Sequence, residues 1–147
     1  MVAEAKGRVQ NLSPEQVADE LDGGGVTLVD VREDDERLQS GAIPGAVRAP
    51  RGMLEFWADP TSAYHREEFD PARRTILYCA SGGRSALAAD TLQGMGYANV
   101  AHLDGGIKAW KGGGLPVERV GPASSKASRR SRLYFTALPR VGSPPPR

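Results

Sequence analysis

The stretch Ile76–Ala89, with the sequence ILYCASGGRSALAA, joins three patterns that together decide the fold. Its first residues belong to the apolar, β-rich run Thr75–Cys79, which predicts a buried strand. A loop of small residues follows, and Ser85–Gly96 then carries apolar residues at helical spacing with a glycine at its end. We therefore expect Cys79 at the carboxyl end of a strand, which is where ligands bind in open parallel sheets.

Strands and helices alternate along the rest of the chain as far as residue 120. Ser13 and Pro14 predict the start of a helix that glycines 23–25 end. Val26–Arg32 and Val100–Leu103 predict two more buried strands. Shorter helices are predicted at 33–41, 51–59 and 107–114, with some helix within the polar connection 61–74. A short strand is predicted at 46–48 and an extended segment at 115–120. This alternation predicts an α/β fold with a central, mainly parallel sheet and helices on both faces.

Charge is distributed unevenly along the 147 residues. Of the 19 basic side chains, six lie in residues 121–147, which contain no acid; the other 13 stand against 18 acids, so residues 1–120 carry a net charge of −5. We expect one domain at 1–120, and a disordered tail at 121–147 because that segment is rich in Ser, Pro and Arg. Such a tail could bind an acidic partner or nucleic acid, but a solvated tail is the simpler interpretation, and we expect no nucleic-acid partner.

Several classes of protein are disfavoured by composition. No apolar run approaches the roughly 20 residues of a membrane span, and the first twelve residues lack the apolar region of a secretory signal, so we expect neither. The single cysteine can form no internal disulfide, which favours the cytoplasm. His65 and His102 lie far apart and have no partner motif, so we expect no metal site and no cofactor, and assign them no chemistry.

The loop after Cys79 has the features of an anion-binding cup. Its residues lack bulky side chains, so their backbone amides can converge on one point, and the following helix directs its positive end there. A thiol in this position has a lowered pKa. A lone cysteine is more often an inert packing residue, but Arg84 would oppose the helix dipole unless an anion lay beside it. The residues expected to bind this anion are Ala80, Ser81, Gly82, Gly83, Arg84 and Ser85.

Loop length separates two kinds of chemistry. Cysteine-dependent phosphatases have five residues between cysteine and arginine, whereas four residues lie between Cys79 and Arg84, and the position that would complete the longer motif is Ser85. The shorter loop favours a smaller anion attached to the cysteine itself, such as the outer sulfur of a persulfide.

Motifs in the segment 12–120 together resemble the single-domain rhodanese family of thiosulfate sulfurtransferases. They are LVDVRE, IPGAVRAPRGMLEF, the cysteine loop CASGGR and the late segment LDGGIKAW. The resemblance implies a three-layer rhodanese-like fold. One departure is Ala42, where the family turn often has histidine, which puts the local anchoring of that turn in doubt.

The resemblance also implies a double-displacement reaction. The Cys79 thiolate would take the outer sulfur of thiosulfate, release sulfite and pass the sulfur to cyanide or a thiol, with Arg84 and Arg51 binding the donor. The small-molecule donor and acceptor would be the main partners, with a protein sulfur acceptor as a further one. Asp30 and Arg32 would be scaffold residues. Two alternatives stay open, a phosphatase or arsenate reductase and a sulfur-relay or sensing module that acts with a protein partner.

Overall fold

In the computed structural model, which describes residues 1–121, five strands form one parallel sheet. The strands are β1 (Gln10–Leu12), β2 (Val26–Asp30), β3 (Val47–Arg48), β4 (Arg74–Tyr78) and β5 (Val100–Leu103). Their order across the sheet is β1-β5-β4-β2-β3. The predicted parallel sheet is confirmed. The tail predicted at 121–147 lies outside the described residues, apart from Gly121.

Helices cover both faces of this sheet. They are α1 (Val2–Arg8), α2 (Pro14–Gly23), α3 (Asp34–Ser40), α4 (Leu54–Ala58), α5 (Gly83–Gly94) and α6 (Gly106–Gly112), with a 3-10 turn at Arg51–Met53 before α4. Buried side chains of α4 and α5 form one core with Leu77 and Cys79, while those of α2 and α6 form a second core with Ile76 and Tyr78. Successive residues of a strand point to opposite faces, so this alternation directs Cys79 toward α5.

Several elements differ from the sequence-based expectation. The pattern indicated no element in residues 1–11, yet α1 and β1 lie there, and α1 packs on α5 through the paired side chains of Arg8 and Asp90. The helix expected within residues 61–74 was wrong, because that connection consists of turns. Asp59 and Asp70 accept hydrogen bonds from backbone amides two residues later, at 2.9 Å each, and such turns compete with a helix.

The turn that contains Ala42 is anchored through its backbone. Ala42 and Glu118 exchange backbone hydrogen bonds of 2.9 and 2.8 Å, and the Tyr78 hydroxyl accepts a bond of 3.1 Å from the amide of Ile43. Main-chain pairing with the segment after α6 therefore fixes this turn.

A buried ionic network joins the ends of β2 and β4. Asp30 is fully buried, and its carboxylate accepts hydrogen bonds from the Arg32 guanidinium at 3.0 and 2.8 Å, from Arg37 at 3.0 Å and from the Tyr78 hydroxyl at 2.9 Å. Arg32 also donates to the hydroxyl of Ser40 at 2.8 Å. These contacts fix the loops beside the cysteine cup, as expected for scaffold residues.

Replacing Asp30 with asparagine is expected to destabilise the fold by about 3–5 kcal/mol, because two buried guanidinium groups lose the charge that compensates them. Urea unfolding of the full chain measures this effect. The exposed Asp22→Asn is the matched control and should change stability by less than about 0.5 kcal/mol. An Asp30→Asn variant as stable as this control would contradict the assigned role of the network.

Candidate active site

The cup around Cys79 is built by the start of α5. That helix begins at Gly83, two residues earlier than its pattern predicted, and Gly82 precedes it with a φ of 107°, a conformation that favours glycine. The Cys79 sulfur accepts hydrogen bonds from the amides of Gly82 at 3.1 Å and Ser85 at 3.4 Å. The sulfur therefore lies at the positive end of the twelve-residue helix, as predicted.

The surroundings of Cys79 act on its ionisation in opposite directions. The residue is only 1% exposed, and burial raises the pKa of its thiol. Hydrogen bonds from the Ser85 hydroxyl and from the amides of Ser85, Gly82 and Ser81 lower it. These bonds outweigh burial, so the pKa of Cys79 lies below its ordinary value. The cup therefore favours the thiolate, the form that acts as a nucleophile.

The first turn of α6 is hydrogen-bonded to the backbone of the cysteine loop. The amide of Ile107 donates to the Cys79 carbonyl at 2.9 Å, and the amide of Lys108 donates to the Ala80 carbonyl at 3.1 Å. Gly106 has a φ of 64°, and an added Cβ there would lie 2.6 Å from the Cys79 carbonyl oxygen and closer still to Ala80. Gly106 therefore allows α6 to approach the backbone of the cysteine loop directly.

Arg84 has a protein partner that the sequence did not reveal. Its guanidinium forms two hydrogen bonds of 2.7 Å with the carboxylate of Glu36 on α3. This pairing raises the pKa of Arg84 and lowers the pKa of Glu36 to about 2, so both groups are charged at neutral pH. The argument that Arg84 needs a bound anion to explain its position is therefore wrong, since Glu36 already balances its charge.

The side chain of Arg51 makes its contacts away from the cysteine loop. Its guanidinium donates to Glu55 at 2.8 Å and to the Thr91 hydroxyl at 3.3 Å. Thr91 follows Ser85 by six residues on α5, which corresponds to about 9 Å along the helix axis. These contacts hold the Arg51 guanidinium on the flank of α5, between one and two turns from Ser85.

The aromatic side chains Phe56, Trp57 and Trp110 differ in burial. Trp57 is buried in the core next to α5, and Trp110 is buried on the opposite face of the sheet. Phe56 is 52% exposed and packs edge-to-face on Tyr64. Trp110 therefore lies in the core, whereas Phe56 lies at the surface.

A cavity of about 330 Å³ opens beside Ala80 of the cysteine loop. It lies between α3 and α6 and is lined by residues that include Glu36, Ala80, Lys108 and Lys111. The cavity brings two lysines of α6, Lys108 and Lys111, to the rim beside Ala80. Their exposed ammonium groups give this side of the rim a positive character.

His102 is the residue that sequence reasoning missed. It is fully buried on β5, its Nδ1 lies 2.9 Å from the Ser85 hydroxyl, and that hydroxyl lies 3.5 Å from the Cys79 sulfur. In the register of the sheet His102 is opposite Leu77, which shares its face with Cys79. The sequence does carry a signal for this residue: His102 is the one polar side chain in the otherwise apolar run Val100–Leu103.

Residues 1–121 contain neither a metal-binding cluster nor a membrane-spanning helix. No group of three or more His, Cys, Asp or Glu side chains there could hold a metal ion. Within the same residues, the helices are all too short or too polar to cross a membrane.

Comparison with known proteins agrees with this geometry. Residues 13–112 match the model of the rhodanese-like domain family. A sulfurtransferase from Allochromatium vinosum is 34% identical over 110 residues, which are 74% of this chain and 94% of that protein.

Two solved structures extend the comparison. A protein of unknown function from Rhodopseudomonas palustris, named a "possible tyrosine phosphatase", is 40% identical with a TM-score of 0.75, and the match covers 80% of this chain and 90% of that one. A thiosulfate sulfurtransferase from Pseudomonas aeruginosa is 26% identical with a TM-score of 0.67, over 88% of this chain and 25% of that one. The parallel sheet, the cysteine cup and these matches lead to one conclusion: the chain belongs to the rhodanese-like sulfurtransferase family.

Proposed function

We propose that the protein transfers the outer sulfur of thiosulfate, or of a similar small donor, through a persulfide on Cys79 to cyanide or a thiol. The observation that carries the proposal is the sulfur of Cys79 at the start of α5, bonded by the amides of Gly82 and Ser85. This arrangement stabilises a negative charge on sulfur both before and after the transfer.

The first half-reaction needs no external oxidant or reductant. The Cys79 thiolate attacks the outer sulfur of thiosulfate, the bond between the two donor sulfurs breaks, and its electron pair leaves with sulfite. The product is a cysteine persulfide whose terminal sulfur carries the negative charge. In the second half-reaction an acceptor attacks that terminal sulfur, and the bonding electron pair returns to Cys79 as a thiolate.

Donor binding is proposed at the rim formed by Arg84 and the cavity between α3 and α6. Thiosulfate carries two negative charges, and the exposed Lys108 and Lys111 line that cavity. Arg84 lies at the start of α5 beside the loop, where the donor would compete with Glu36 for its guanidinium. We propose that the amides of Ser81, Gly82 and Ser85 bind the anion. Ala80 lines the cavity, and Gly83 is the first residue of α5.

We also propose that the protein acts in the cytoplasm, because the proposed reaction needs a reduced thiol and the cytoplasm keeps thiols reduced.

The proposal is tested by sulfite release from thiosulfate with cyanide as acceptor. We expect steady turnover with thiosulfate, and hydrolysis of an aryl phosphate no faster than its uncatalysed rate, because the loop is one residue shorter than a phosphatase loop. Turnover of the phosphate ester without turnover of thiosulfate would overturn the proposal in favour of a phosphatase. Persulfide formation without release to cyanide or thiols would instead favour a relay module that needs a protein partner.

Two arginine variants separate the candidates for donor binding. Arg84→Ala is expected to lower kcat/KM for thiosulfate by about 10- to 100-fold, the range for losing one charge-assisted contact. Arg51→Ala, in which an arginine of similar exposure is lost from the flank of α5, should lower kcat/KM by less than about threefold. Steady-state kinetics with varied thiosulfate measures both effects. The reverse order of effects would return Arg51 to the donor site and contradict the proposed position of the rim.

A further inference from the structure

A chain of hydrogen bonds connects Cys79 to the interior of the protein. It runs from the Cys79 sulfur to the Ser85 hydroxyl at 3.5 Å, from that hydroxyl to His102 Nδ1 at 2.9 Å, and from His102 Nε2 to Asn11 Oδ1 at 2.6 Å. Ser85 and His102 are fully buried. The sulfur-transfer proposal assigns no role to His102, although it is a titratable group one hydroxyl away from the nucleophile.

The orientation of the Asn11 side chain determines which ring nitrogen carries a proton. The Asn11 amide nitrogen donates to the carbonyls of Lys6 at 2.9 Å and Val9 at 3.2 Å. Turning the amide over would place its oxygen against these two carbonyl oxygens, so this orientation is fixed. Asn11 Oδ1 therefore faces the ring as an acceptor, and His102 Nε2 must be the donor in that bond.

This tautomer in turn fixes the proton of the Ser85 hydroxyl. In the neutral imidazole Nδ1 is then an acceptor, so Ser85 donates its single proton to His102. The Ser85 oxygen is left to accept from the thiol of Cys79, which is the direction of that contact in the structure. When Nδ1 is protonated it no longer accepts a hydrogen bond, and the Ser85 hydroxyl can turn its proton to the sulfur.

We propose that His102 is a positioning residue that receives, through Ser85, the proton that Cys79 gives up. This inference rests on the proposed function in that Cys79 is the nucleophile. In the step, the S–H bond of Cys79 breaks and its proton passes to Ser85 Oγ, while the former Ser85 proton passes to His102 Nδ1. The thiol and neutral imidazole become a thiolate and an imidazolium, with Ser85 donating to the sulfur.

The relay keeps the net charge of the site constant. A dianionic donor can therefore approach a site with no net charge. The Cys79 thiolate forms together with the His102 imidazolium, which compensates its charge from the same side of the sheet. Burial lowers the pKa of His102, which favours the neutral ring as the acceptor at rest. A negative charge formed nearby on Cys79 would favour the charged ring. Other charged groups on the elements around His102 are paired with each other: Lys6 of α1 with Asp104, and Arg8 of α1 with Asp90 of α5.

Titration of His102 by NMR of the ¹⁵N-histidine-labelled full chain tests the relay without using turnover. Replacing Cys79 with alanine should lower the pKa of His102 by about one unit, a tenfold change in its proton affinity, because the thiolate is lost. Ser85→Ala should remove most of the dependence of the His102 titration on Cys79. A His102 titration that is the same in wild type and Cys79→Ala would overturn the proposal, since a purely structural histidine would behave in that way.

Alkylation of Cys79 by iodoacetamide at varied pH gives the reciprocal measurement. The wild-type rate should rise in two steps, as expected for a coupled pair, and His102→Gln should reduce the profile to one step. A two-step profile that persists in His102→Gln contradicts the relay. If that variant does not fold, the His102 titration in Cys79→Ala decides alone.

The relay and the proposed function can fail separately. A protein that shows the coupling but no sulfur transfer would retain the relay and lose the proposed function, whereas sulfur transfer without coupling would exclude only the relay.

Discussion

Replacing Cys79 with serine is expected to lower sulfur-transfer turnover by about 10⁴-fold or more, as with nucleophiles removed from other covalent catalysts. A serine hydroxyl differs from the thiol by one atom, so the bonds from the amides of Gly82 and Ser85 can still form. It is not ionised at neutral pH, however, and it cannot form a persulfide. Sulfite release under saturating thiosulfate and cyanide measures the loss.

The fold of the Cys79→Ser variant must be intact for this result to bear on mechanism. Thermal unfolding should give a midpoint close to that of the wild type, because the substitution keeps the size of a side chain that is only 1% exposed. A folded Cys79→Ser variant that kept a tenth or more of the wild-type turnover would show that sulfur is transferred by a route that avoids this cysteine.

Replacing Gly106 with alanine is expected to destabilise the protein by about 3 kcal/mol or more and to abolish sulfur transfer. The new Cβ would overlap the backbone of Ala80 and lie 2.6 Å from the Cys79 carbonyl oxygen, where no side chain can rotate away to make room. The φ of 64° adds strain of its own. Relief requires α6 to move away from the cup, which breaks the amide bonds from Ile107 and Lys108.

Gly112→Ala is the matched control on the same helix. Nothing lies within 4 Å of a Cβ added at Gly112, and its φ is not positive, so alanine there should leave turnover unchanged and stability equal or slightly higher. Urea unfolding and the sulfite assay compare the two variants. If Gly106→Ala matched Gly112→Ala in both measurements, the direct support of the cup by α6 would be refuted.

The region around Cys79 was the most predictable part of the molecule from sequence. The apolar run, the small loop residues and the helical spacing after them are local signals, and each is read over a few neighbouring residues. They correctly gave β4, the loop and α5, and they placed Cys79 at a strand end and a helix start. The helix begins at Gly83 instead of Ser85 because a glycine cap with positive φ leaves no side-chain signal.

The parts that could not be predicted depend on contacts between distant segments. The partner of Arg84 is 48 residues away at Glu36, and the partner of His102 is 91 residues away at Asn11. The short helix α1 has one buried residue, Ala5, so its own sequence carries almost no amphipathic pattern and its packing on α5 defines it. Propensity and spacing describe neighbours along the chain, whereas these pairings follow only from the order of strands in the sheet.

Intact mass spectrometry of the full chain after incubation with thiosulfate tests the central proposal most directly. We predict a gain in mass of one sulfur atom, located on the peptide that contains Cys79, removed by cyanide and absent in Cys79→Ser. Unchanged mass of the wild-type chain, or an equal gain in the Cys79→Ser variant, would contradict persulfide formation at Cys79.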